Sequence, residues 1–125
     1  MDFIPAPDIH KQLKTITKKL ALKHIDPHRL VCFRSHGSTS RARARIWSLP
    51  RVWQLGLKLE PHYVIEVISH YFDGLSVDDQ TRVLIHELMH IPKNFSGALL
   101  SHRHGKHHRI DHKTVESLFQ QYKHG

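Results

Sequence analysis

Ser76 followed three residues later by Asp79 marks the start of a helix, and Pro92 marks its stop. Inside that span Val77, Thr81, Leu84, Leu88 and Ile91 recur at helical spacing and predict a face that packs on a sheet. The same span carries His86-Glu87-Leu88-Met89-His90. Residues four apart on a helix lie one above the other, so both imidazoles can reach a single ion on the side away from the packed face. Zinc accepts neutral imidazole nitrogen and, in catalytic sites, keeps one position open for water. Glu87 projects beside the two histidines, where a carboxylate can act as general base toward that water. Two ligands and a base within five residues point to zinc-dependent peptide hydrolysis. Although 14 residues are histidine, chance alone would produce only about 0.05 such matches in a chain of this composition.

A third ligand has to come from beyond the helix. His102, His104, His107, His108, Asp111, His112 and Glu116 all follow it. Glu116 would suit a ligand supplied by a neighbouring helix, whereas the loop histidines have the reach and imidazole is a good zinc ligand. Spacing leaves these alternatives open.

The rest of the chain supplies the frame. Residues 8–24 read as an amphipathic helix, with Ile9, Leu13, Ile16, Leu20 and Leu22 on one side and lysines between them. Asp26-Pro27 breaks it. Residues 29–34 and 63–68 read as strands, and 41–48 alternates into another, with Arg41, Arg43 and Arg45 on one face and Ala42, Ala44 and Ile46 on the other. Residues 51–62 fit neither period. Residues 93–110 form a loop rich in histidine and basic residues, and about 111–123 is a last helix with Val115, Leu118, Phe119 and Tyr122 on one side. The order α, β, β, β, α, α predicts an α+β fold with a short three-stranded sheet, as one domain over residues 1–125.

Composition narrows the setting. With 39% hydrophobic and 24% charged residues the chain has an ordinary globular profile, which argues against disorder. Cys32 is the one cysteine, so an internal disulfide and an all-thiolate metal site are both excluded, and its place in Leu30-Val31-Cys32-Phe33 suits a buried, inert thiol. No basic stretch followed by a long apolar run opens the chain, and no stretch approaches the ~20 apolar residues of a bilayer span. The expectation is a cytoplasmic protein with no membrane partner. A net charge of +8 favours polyanions. Arg41, Arg43 and Arg45 are the candidates for non-specific nucleic-acid contact, against the plainer reading of a solvated strand face.

Residues 63–69, residues 72–76 and the stretch from Val83 to His102, with Ile91-Pro92 and Phe95-Ser96-Gly97 behind the helix motif, carry a resemblance. Over about residues 60–122 the chain resembles the phage and archaeal metallopeptidases and, more loosely, is similar to the SprT-like zincins. That resemblance implies a zincin-like fold, Zn²⁺ as cofactor and a protein or peptide as substrate. A histidine shortly after the Phe-Ser-Gly segment is the third ligand it implies, which is His102; the SprT-like pattern instead offers His104 of the His104-Gly105 pair. The rival reading from another class is a basic nucleic-acid-binding module with a structural zinc site, and the SprT-like resemblance adds a third, a peptidase recruited to DNA by its basic surface. The strand at 63–68 is the expected holder of an extended substrate.

Overall fold

The computed structural model describes residues 1–103 and 109–125. Strand β1 (Asp2–Pro5) leads through Ala6 into helix α1 (Pro7–Lys19), and a 3₁₀ turn at Pro27–Arg29 leads into β2 (Leu30–His36). Then come β3 (Ala44–Trp47), helix α2 (Arg51–Leu57), β4 (Tyr63–Ile68), the short helix α3 (Ser69–Phe72), α4 (Val77–Leu88) and α5 (His112–His124). The fold class is α+β as expected, but the sheet has four strands rather than three, in the order β1-β2-β4-β3. The added strand is β1, exposed along its length and joined antiparallel to β2. Four residues containing a proline, with no buried face, give no alternating pattern from which to read a strand.

β4 is the centre of the sheet. It pairs parallel with β2, Leu30 opposite Tyr63, and antiparallel with β3, Ala44 opposite Val67. Leu30, Cys32, Tyr63, Ile65 and Val67 share the face on which the core is built. Ile9, Leu13 and Ile16 of α1, and Leu84, Ile85 and Leu88 of α4, close that core, while Val115 and Phe119 of α5 pack against α4. Burial pushes the Cys32 thiol up to about 12, consistent with an inert core residue. Among the described residues no helix is long and apolar enough to cross a membrane.

Several boundaries differ from the sequence reading for physical reasons. α1 stops at Lys19 instead of His24 because Ala21 adopts φ 51°, and the amides of Ala21 and Leu22 bond back to Lys18 and Thr17. β3 starts at Ala44 instead of Arg41, so Arg41 and Arg43 precede the strand and the expected row of three arginines is broken. Arg45, the one within it, lies 3.5 Å from the fully buried Glu66 carboxylate, with its guanidinium over the Trp47 ring. Val77 is exposed rather than packed on the sheet, since α4 meets the core only from Thr81 onward.

Candidate metal centre

Ser76 caps α4 by accepting the Asp79 amide, as its sequence position implies. At the other end the helix finishes at Leu88, four residues before Pro92. The last turn tightens: His90 N–H bonds to Glu87 O and Ile91 N–H to Leu88 O, both three residues back. His90 therefore lies just past the regular helix, and the chain then doubles back through residues 93–100. Tyr63 anchors this return segment, its hydroxyl donating to Ala98 O (2.7 Å) and accepting from Gly97 N–H (2.9 Å). Gln54 adds two bonds from its amide, to Leu49 O (2.7 Å) and Ser96 O (2.8 Å).

Leu100 completes the return. Its amide donates to the His90 carbonyl at 2.8 Å, and its own carbonyl meets His90 Nδ1 at 2.5 Å. A carbonyl only accepts, so Nδ1 carries the proton and Nε2 keeps its lone pair. Two residues on, His102 brings its Nε2 within 3.1 Å of His86 Nε2. Ring centroids are 5.2 Å apart for His86 and His90, 5.1 Å for His86 and His102 and 4.6 Å for His90 and His102. One nitrogen from each of the three rings lies within 4.8 Å of the others. Two nitrogens bound to one tetrahedral zinc lie about 3.3 Å apart, so little movement separates this arrangement from a ligand set.

The electrostatics agree with that donor set. Burial, then the neighbouring His90 and His102, lower His86 to about 4, which keeps the ring neutral and able to ligate. Glu87 is buried beside them and burial pushes its carboxyl up to about 8. Its Oε2 has no hydrogen-bond partner among the described residues. A buried carboxylate oxygen left without a protein partner is costly unless something else approaches it. Beside it opens a cleft of about 490 Å³ lined by Ala42, Arg43, Ala44, Asp79, Arg82, Val83, His86, Glu87, His112 and Val115.

A family described as "Putative phage metallopeptidase" matches residues 1–122. The chain belongs to the phage metallopeptidase family. No curated protein and no solved structure gives a match.

Membership makes this a protein of a metallopeptidase family, and the three-histidine cluster gives the chain a place able to hold a metal. Two other candidates from the sequence are engaged elsewhere. Glu116 pairs with Arg82 at 2.8 Å, which draws its carboxyl below the usual range, and Asp111 caps α5. His112 lines the cleft. His104, His107 and His108 lie outside the described residues. Sequence reasoning missed Leu100, whose contribution is its peptide unit and leaves no trace in side-chain type. It also treated Tyr63 as a strand residue only, although its hydroxyl holds the return segment. β4 cannot hold an extended substrate as expected, because both of its sides are already paired.

Proposed function

We propose that this phage metallopeptidase family member is a zinc-dependent peptidase of the zincin type, with His86, His90 and His102 as ligands and Glu87 as general base. The observation that carries the reading is the convergence of three ligand-competent imidazoles, one of them pre-oriented by Leu100 O, beside a buried carboxylate with an unpartnered oxygen. Carbonyl-oriented histidines of this kind are the usual supporting shell of metal sites. Zinc held there would polarise a substrate carbonyl and ease deprotonation of a water. The nearby cation would favour the charged form of Glu87 against the effect of burial. Glu87 would then take the water's proton at Oε2 and pass it to the departing amine.

Substrate would approach along β3. This strand is an edge of the sheet, and Ala44 at its start and Ala42 just before it line the cleft with His86 and Glu87. An extended peptide would add to its free side through backbone hydrogen bonds. Among the described residues three protein ligands converge, a set that would leave a fourth position for chemistry, unlike the closed four-ligand sites of structural zinc. The test is metal analysis with kinetics. His86→Ala, His90→Ala and His102→Ala should each lose zinc, whereas Glu87→Gln should keep it while peptide hydrolysis falls about 10²-fold or more. Full zinc occupancy in the His86→Ala/His90→Ala double variant, or equal cleavage by wild type and Glu87→Gln, would remove this reading.

A further inference from the structure

Helix α2 turns its apolar side outward. Val52, Trp53, Leu55 and Leu57 are 73%, 56%, 65% and 57% exposed, and the one buried residue of the helix is the polar Gln54. At 100° per residue these four fall within one broad arc, with Gln54 on the opposite side. Trp47, four residues before the start of the helix, and Leu59, two residues after its end, are 44% and 46% exposed. A soluble protein keeps such surface covered unless something docks there. α2 is also firmly held: Gln54 binds Leu49 O and Ser96 O, and the Leu49 amide binds Gly97 O at 3.0 Å. The helix is thus fixed both to the exit of β3 and to the segment leading to Leu100 and His102.

Its position relative to the cleft decides the occupant. β3 begins beside His86 and Glu87 and runs to Trp47, after which Ser48–Pro50 lead into α2. Strand residues rise about 3.3 Å each, so a chain paired along β3 from the cleft reaches Trp47 within about four residues, where the connection to α2 begins. We propose that α2 and Trp47 form a docking surface for an apolar segment of the polypeptide substrate, a few residues from the bond that is cut. The proposal rests on the peptidase reading above for the place of the cut. Exposed Arg51 and Lys58 border the arc, so the segment it favours is apolar with neutral or acidic neighbours. Segments of that kind are hidden in folded proteins and exposed in unfolded ones, which makes unfolded chains the substrate class.

Two fluorescein-labelled peptides test this, alike except for a Leu-Val-Leu segment in one and Ser-Thr-Ser in the other. Each is titrated into the full zinc-loaded Glu87→Gln chain and followed by anisotropy. The apolar peptide should bind about tenfold tighter or better, given the area two or three large side chains would cover. Trp47 and Trp53 are the chain's two tryptophans, so its emission should shift to the blue on binding. Val52→Asp/Leu55→Asp should erase the difference between the peptides, and Leu57→Ser should reduce it. With wild type the same preference should appear in KM rather than kcat. Equal affinities, an unchanged emission, or an arc that self-associates or binds phosphatidylglycerol vesicles without discriminating the peptides would overturn the proposal. If wild type leaves both peptides intact while Glu87→Gln still prefers the apolar one, the peptidase reading falls and the docking surface stands.

Discussion

Gly97 has φ 92°, a backbone conformation that costs any other residue strain, and a Cβ there would collide with Gln54 Nε2 and lie 2.6 Å from Leu49 O. The Phe95-Ser96-Gly97 segment is thus fixed by close backbone approach at its third residue. Gly97→Ala should destabilise the fold by about 2 kcal/mol or more, read as a lower denaturation midpoint at unchanged m-value. Zinc affinity should fall with it, because Leu100 and His102 hang from the displaced segment; unchanged stability would mean that Gln54 and Leu49 yield easily. At this scale the three-histidine cluster was legible: His86 and His90 follow from a spacing rule, and His102 from a resemblance. What spacing could not give was the choice among seven later candidates, because reach depends on where a return segment is pinned. Tyr63 OH and Leu100 O do that pinning, one through a strand residue with no polar signal around it and the other through a peptide bond.

Among the elements, the presence of the helices with an inward apolar stripe is legible in the sequence although not all of their ends are, while elements without such a stripe leave no signal. α1, α4 and α5 each bury a stripe against the core, and stripes are visible in sequence. β1 is exposed throughout, and α2 turns its apolar side outward and buries only a glutamine, so neither shows the apolar-inward pattern of an element packed on the core. The start of α4 was legible as well, since Ser76 does cap it. Ser76→Ala should cost about 1 kcal/mol, a drop of several degrees in Tm for a chain of this length. Asp78 and Asp79 in the first turn should soften the loss through the helix dipole without replacing the lost acceptor. A Tm unchanged within error would show that the first turn is held by Lys123, which reaches Asp78 at 3.0 Å, rather than by its cap.

For the whole molecule, ion pairs bridge elements distant in sequence. Arg34 of β2 holds Asp8 of α1 at 2.9 Å and Asp73 after α3 at 3.1 Å, while Arg82 of α4 holds Glu116 of α5 at 2.8 Å. Asp8 lies below its ordinary 3.8 through its bond to Arg34, and Glu116 below 4.5 through Arg82. Carboxyls with depressed folded values contribute stability above their unfolded pKa and lose it as pH falls through the folded one. The part of the stability that these pairs supply should therefore hold from neutrality to about pH 5 and decline below about pH 4, and it should shrink in Arg34→Gln. Because Asp8 is exposed and Glu116 is partly so, added salt should shrink the effect. An acid profile identical in Arg34→Gln would place the loss in other groups. The strand order has a consequence for how the chain is made. β2 and β3 leave the ribosome before β4, yet they do not touch in the sheet, since β4 stands between them. Until Tyr63–Ile68 is synthesised, both earlier strands wait with open edges, and parallel pairing across some thirty residues is slow to close. Newborn chains cut off before residue 63 would thus be sticky fragments, and the central strand is the piece that converts them into a protein.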